Sequence, residues 1–222
     1  MASGRILSHF SVFAFEPTFW DLAAGARVHR ERQLRSALGR AADSVHFYHT
    51  FGIRHSSEAL VWCCLRAEAA DAPARFFERF AEFLSPFRNH VRLVDTLWGF
   101  TGESEYTRGA SQRAIDALQP RTRQYLIVYP FAKTHAWYMA PSEMRQRMMS
   151  EHIRVGRSNS GVEQQILYCA GLQDHEFVVV YETDDLASFT ALVAELRRTE
   201  ARGYTARDVP VHVGVRVCTE DG

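Results

Sequence analysis

The chain has 222 residues, 46% of them hydrophobic and 12% aromatic, with 26 basic and 26 acidic side chains and a formal net charge of zero. That is enough apolar material for one large core or two small ones, and the charge balance gives no electrostatic pull toward nucleic acid or an anionic membrane. No apolar run approaches the ~20 residues that span a bilayer, and Met1 to Phe15 lacks the pattern of a secretory leader, so a soluble cytoplasmic protein is expected.

In chain order, residues 6–15 read as a strand, and Phe19-Trp20 leads into a helix over 25–39. Strands are expected at 44–52 and 58–67, a helix at 73–87 and a strand at 91–100. The polar stretch 103–121 reads as a connection. The order then repeats: strand 123–132, Trp137, helix 141–156, strands 163–171 and 175–183, helix 185–199, strand 209–217. Each half is therefore β-α-β-β-α-β, the ferredoxin-like split unit. Such a unit leaves one sheet face uncovered, and two units can bury those faces against each other. The expected fold class is α+β, a dimeric α+β barrel of two ferredoxin-like halves, residues 1–110 and 120–222. Phe15-Glu16-Pro17-Thr18-Phe19-Trp20 is echoed by Phe131-Ala132-Lys133-Thr134-His135-Ala136-Trp137, with one residue inserted.

The four cysteines form no framework. Cys63 and Cys64 are neighbours in one strand and so point to opposite faces, and Cys169 and Cys218 stand singly. Without a Cys-x-x-Cys spacing, buried reduced thiols are the expectation.

The chemistry candidates crowd into the second half. Lys133 is the chain's only lysine, the other basic side chains being arginines. An ammonium is a compact point charge and does not substitute for a planar guanidinium, so a retained lysine beside Tyr129 hints at a need for that group. In the helix at 141–156, opened by Pro141 and Glu143, Met144, Met148 and His152 recur at intervals of four and make one stripe. Four of the five methionines fall between 139 and 149, a polarizable apolar face suited to a large flat ligand. A histidine on such a stripe is either a hydrogen-bonded core residue or an axial ligand to haem iron. Glu200 gains a role if it reaches the far nitrogen of His152, since a ligating imidazole normally donates its other N–H; otherwise it is a solvated charge.

The run YPFAKTHAWYM…EMRQRMMSEHIRVGR, with GLQDHEFVVVYETDDL and VAELRRTEARGYTARD, resembles the chlorite dismutase family, and within it the coproheme decarboxylase branch. The resemblance is specific over about 123–210 and rests on element order before that. It implies a haem site in the second half, assembly as a homo-oligomer (usually a pentameric ring), and iron coproporphyrin III as both substrate and cofactor. Hydrogen peroxide would be the oxidant and haem b the product. By resemblance, His152 is the proximal iron ligand and Tyr129 the radical-forming tyrosine. Lys133 holds the reacting propionate, and Trp137 belongs to the porphyrin-contacting motif. Arg197 and Arg157 lie toward the propionates, and Glu200 is the carboxylate behind the histidine.

The distal position is a glutamine, Gln164 or Gln165 according to the end from which the spacing is counted. Only one of two strand neighbours can line a pocket. A neutral amide can hydrogen-bond a peroxide but offers no positive charge to an oxyhalide, which weighs against chlorite chemistry. Phe131 and Asn159 depart from the family's usual residues. The competing readings are a haem-binding or haem-transfer protein without turnover, a chlorite dismutase, and a ferredoxin-like oligomer with no cofactor.

Overall fold

Apolar strands and two long helices per half produce the expected duplication. The computed structural model describes residues 5–106, 114–119, 123–157 and 160–217, so Asn159 and Cys218 lie outside the described residues. The fold is mixed α+β, with antiparallel sheet pairing throughout the named ladders. It divides into two compact units. The first holds described residues 5–101, 116–119 and 213–217, and the second 102–106, 114–115, 123–157 and 160–212.

In the first unit β1 (Ile6–Phe15), α1 (Pro17–Trp20), α2 (Ala24–Leu38), β2 (Ser44–His49), β3 (Ala59–Arg66), α3 (Ala72–Leu84) and β4 (Val91–Thr101) follow in turn. The strand order is β4-β1-β3-β2, as a split unit requires. β1 and β3 are buried on both faces, which explains why Ala59–Arg66 (ALVWCCLR) reads as one apolar run. On the helix side Leu7, Phe13, Val61 and Cys63 pack with Leu34 and Leu38 of α2 and Phe76, Phe80 and Leu84 of α3. Cys64 points the other way, toward the Ser8 hydroxyl. Cys63, Cys64 and Cys169 are buried thiols outside any disulfide, as the spacing predicts.

His9 is caught inside this core, edge-on to Phe76, Phe77 and Phe80, with Nδ1 3.1 Å from the Ser11 hydroxyl. Burial pushes its pKa down from 6.5 to about 4. Between those values the unfolded chain binds a proton that the folded chain refuses, so stability falls as pH drops through the window. The loss for one such group amounts to about 3 kcal/mol by pH 4. Denaturant unfolding from pH 7 to 4 should show this slope in the native protein and a shallower one in His9→Gln. Equal slopes would exclude the assignment.

The second unit carries β5 (Tyr125–Lys133), α4 (His135–Met139), α5 (Ser142–Gly156), β6 (Val162–Tyr168), β7 (Phe177–Thr183), α6 (Leu186–Leu196) and the short β8 (Thr205–Arg207). Its order is β6-β7-β5-β8. Arg123 pins the start of β5 by reaching both Glu163 (3.1 Å) and Asp184 (2.6 Å).

Two details differ from the expected elements. The last strand, β9 (His212–Arg216), pairs with β2 of the first unit, and β8 takes the fourth place in the second. Gly214 permits that pairing, because a Cβ there would stand 2.6 Å from the Tyr48 Cβ. The last helix stops at Leu196 rather than 199. Its end tightens through Arg198 N–H to Glu195 O (3.0 Å) and Thr199 N–H to Leu196 O (3.2 Å), and Glu200 opens a separate 3-10 turn, Glu200–Tyr204. Tightened i→i+3 bonds are a common way for a helix to satisfy its last carbonyls.

Candidate functional site

His152 sits near the end of α5, a helix with Pro141 at its N-cap and Glu143 in its first turn. Its stripe is only partly free. Met148, 1% exposed, packs with Trp137 and Ala201, and Met144 and Met149 flank them. The imidazole itself is half-buried.

The tautomer of His152 follows from a chain of two hydrogen bonds. Its Nδ1 lies 3.1 Å from the Thr199 hydroxyl oxygen, and that hydroxyl donates to the Leu196 carbonyl at 2.7 Å. With its only proton committed, Thr199 must accept from Nδ1–H. The lone pair therefore falls on Nε2, which has no hydrogen-bond partner among the described residues. Burial first, then the Lys133 ammonium, pushes the imidazole down to about 4, with Glu151 opposing. A neutral ring with a committed N–H and a free Nε2 is the form that ligates a metal.

Glu200 does not stand behind this histidine. Its carboxylate pairs with Arg147 through both oxygens at 3.3 Å, while its backbone N–H meets Glu151. The early end of α6 is the cause: the 3-10 turn presents Thr199 to the ring and directs Glu200 outward. Thr199 is 6% exposed.

Lys133 ends β5. Its backbone N–H donates to Glu176 (2.8 Å) and its ammonium to the Ala201 carbonyl (3.2 Å). The ammonium also lies 4.2 Å from the centroid of Trp137, a cation–π contact. Burial, then the nearby Arg202 guanidinium, pushes Lys133 down to about 8. Trp137 itself is 4% exposed and edge-on to Tyr106 and Tyr204. Arg202 bonds Asp208 (2.6 Å), and Arg197 approaches the same carboxylate at 3.8 Å. Asp208 and Arg197 both act on Tyr129. Charge thus links Tyr129, the arginine pair, Lys133 and His152 in sequence. Arg157 is exposed, just beyond the end of α5.

Register settles which glutamine shares a face with Tyr129. Tyr129 pairs with Val179, and Val179 with Ile166; Tyr181, two residues on, pairs with Gln164. Side chains alternate along a strand, so Tyr129, Tyr181, Ile166 and Gln164 share one face. Gln164 is exposed and Ile166 is 45% exposed. Gln165 points to the other face, where its amide donates to the Ile115 carbonyl (3.3 Å).

The first unit fills the equivalent positions. Tyr129 pairs with Val179 as Phe13 pairs with Ala59, and Gln164 pairs with Tyr181 as Phe47 pairs with Val61. α2 and α5 are both 15 residues long, and Leu34 holds the place of His152. Phe13, Leu34 and Phe47 line a cavity of about 30 Å³, room for little more than one water. A much larger open groove, about 730 Å³ between α2 and α3, is lined by Arg30, Arg32 and Arg40 and contains none of the candidate residues.

Duplicated ferredoxin-like halves make this an α+β protein, and its second unit holds an imidazole nitrogen with no hydrogen-bond partner among the described residues together with the phenol of Tyr129 and the ammonium of Lys133. The sequence pattern of the chlorite dismutase family matches residues 27–217. The chain belongs to that family.

Among curated relatives, the coproheme decarboxylase of Mycolicibacterium smegmatis is 26% identical over 180 residues, 78% of this chain and 73% of that protein. The coproheme decarboxylase of Staphylococcus saprophyticus is 31% identical over 165 residues, 69% of this chain and 65% of its own length. Among solved structures, chlorite dismutase from Candidatus Nitrospira defluvii in complex with imidazole superposes with a TM-score of 0.80 at 20% identity, covering 98% of this chain and 93% of that one. A cyanide complex of a variant of the same enzyme gives 0.81 at 19%, covering 98% and 92%. These structural likenesses bear on the fold alone. Among the described residues no helix is long and apolar enough to cross a membrane, and no cluster of three or more His, Cys, Asp or Glu forms a metal cage.

Proposed function

We propose that the chain oxidatively decarboxylates iron coproporphyrin III to haem b with hydrogen peroxide. The observation that carries this reading is the His152 tautomer, set by Thr199 and leaving Nε2 free, in the same unit as the phenol of Tyr129. One imidazole nitrogen with no second ligand suits an iron already held by a porphyrin, which brings its own four nitrogens. The names of the curated relatives support the same substrate.

In this reading peroxide delivers two oxidising equivalents at the substrate's iron. Tyr129 gives up its phenolic proton and an electron, then takes a hydrogen atom from the β-carbon of a propionate. The carboxylate leaves as CO2, its last electron returns to the oxidised porphyrin, and a vinyl group remains. One propionate carboxylate, one peroxide and one proton become one vinyl group, one CO2 and two waters, and two rounds give haem b.

Lys133 holds the reacting carboxylate, whose negative charge restores the protonated form that burial disfavours. Arg197 and Arg202, oriented by Asp208, hold the other propionates. The assembly is a homo-oligomer, by family resemblance a pentamer, acting in the cytoplasm. Product masses after incubating apoprotein with iron coproporphyrin and peroxide test the proposal: successive loss of two carboxyl groups supports it, and unchanged porphyrin would sink it.

Chlorite dismutation is the second reading, favoured by the family to which the chain belongs. Gln164 opposes it, being neutral where an anionic oxyhalide needs a cation. Oxygen release from chlorite by the haem-loaded protein would reverse the order of the two, and tight haem b binding with neither activity would instead mark a carrier.

Two substitutions probe the site's two sides. Thr199→Val should weaken porphyrin affinity by roughly 10–100-fold and lower the iron–imidazole stretching frequency, because the imidazole loses the acceptor that raises its basicity. An unchanged stretch excludes Thr199 as the hydrogen-bond partner that tunes the imidazole. Gln164→Leu should slow the peroxide step by about 10-fold, the worth of one hydrogen bond, and Gln165→Leu should leave that step alone. Stopped-flow mixing with peroxide separates the two, and the opposite pattern would overturn the register argument.

A further inference from the structure

The face that carries Tyr129 carries a second phenol with no assigned role. Tyr181 on β7 is the diagonal neighbour of Tyr129 across the β5–β7 ladder. Their ring centroids are 6.2 Å apart with 27° between planes, and the two hydroxyls interact. Tyr181 is 5% exposed, and the edge of Phe189 on α6 closes its other side at 5.2 Å. Packing alone does not call for a phenol here. Tyr181 interrupts a run of valines in Phe177–Thr183 (FVVVYET), and the equivalent position of the first unit is Val61, wholly within its apolar core.

We propose that Tyr181 is a redox partner of Tyr129, exchanging a hydrogen atom with it so that one oxidising equivalent is shared between the two rings. The phenoxyl oxygen of Tyr129 takes the hydroxyl hydrogen of Tyr181. One O–H bond forms as the other breaks, the unpaired electron moves to Tyr181, and nothing enters or leaves the pair. Phenol and phenoxyl stand on both sides of this exchange, so only the surroundings bias it. Tyr129 feels Asp208 and Arg197, whereas Tyr181 lies between Tyr129 and Phe189. The exchange holds the equivalent one residue behind the site until a β-carbon comes within reach, then returns it. The inference rests on Tyr129 being the radical carrier.

Freeze-quench electron paramagnetic resonance tests it, after peroxide is added to wild-type, Tyr181→Phe and Tyr129→Phe proteins loaded with haem b. Decarboxylation of iron coproporphyrin is followed on the same preparations. Wild type should show two phenoxyl hyperfine patterns, Tyr181→Phe only one of them, and Tyr129→Phe neither. Identical spectra for wild type and Tyr181→Phe would overturn the exchange while leaving Tyr129 as the carrier. A Tyr129→Phe protein that decarboxylates at the wild-type rate would remove both. Should Tyr181→Phe fail to fold, 3,5-difluorotyrosine at position 181 answers the same question: fluorine splitting in the radical signal supports the exchange, and its absence refutes it.

Discussion

Tyr129→Phe should bind iron coproporphyrin as tightly as wild type and lose decarboxylation by ~10³-fold or more, about 4 kcal/mol of transition-state stabilisation. Phenylalanine keeps the ring that packs on β5 opposite Val179, so the pocket is conserved. It lacks the O–H whose joint loss of proton and electron makes the side chain an oxidant. Burial first, then Tyr181 and Asp208, raises the Tyr129 pKa well above its usual value near 10, against Arg197. At neutral pH the group is thus a protonated phenol, with a hydrogen atom's worth of proton and electron to give. Porphyrin titration and product analysis on the same variant check both halves of this expectation. Turnover near wild type would remove Tyr129 from the mechanism.

His152→Ala should cost more in binding than any neighbour of the site. Loss of an outer partner of a metal ligand typically costs 10–100-fold, and loss of the ligand itself should reach ~10²-fold or more. The Soret band of the reconstituted protein should shift away from that of an imidazole-ligated iron, and free imidazole should restore it by entering the vacated space. An unchanged band in the variant would show that the iron is held elsewhere. The acceptor Thr199 remains in place in this variant, so the loss reports on Nε2 rather than on a collapsed helix end.

Element order was legible because apolar strand runs and helical segments recur in the same succession in each half, and His152 was legible because Met144, Met148 and His152 keep a helical period. The partner of that imidazole was not. Glu200 looked right on chemistry, but its position depended on where α6 ends, and backbone hydrogen bonding at Leu196 brings Thr199 inward in its place. Nothing in the local sequence marks a threonine as an acceptor.

The glutamine pair shows another limit. Counting from either flank gives adjacent residues, and neighbours on a strand face opposite ways, so a one-residue ambiguity is a complete ambiguity of face. Only the pairing with Tyr181 shows that Gln164, and not Gln165, shares the face of Tyr129. Arg202 and Asp208 were missed because they approach Lys133 and Tyr129 through tertiary contacts. Tyr181 did leave a trace, a phenol among valines in a buried strand. Comparing the halves makes that trace readable: Phe13, Leu34, Phe47 and Val61 fill the positions of Tyr129, His152, Gln164 and Tyr181. One half of the duplication fills these positions with hydrocarbon, and the other carries an imidazole, an amide and two phenols there.

The most direct measurement uses iron coproporphyrin deuterated at the propionate β-carbons, with peroxide as oxidant and product masses followed in time. If Tyr129 takes hydrogen from that carbon on a porphyrin held by His152, haem b should form with one deuterium retained at each new vinyl group, and more slowly than from the unlabelled substrate. Recovery of the intact tetracarboxylate, or vinyl formation at the same rate from both substrates, would contradict the account.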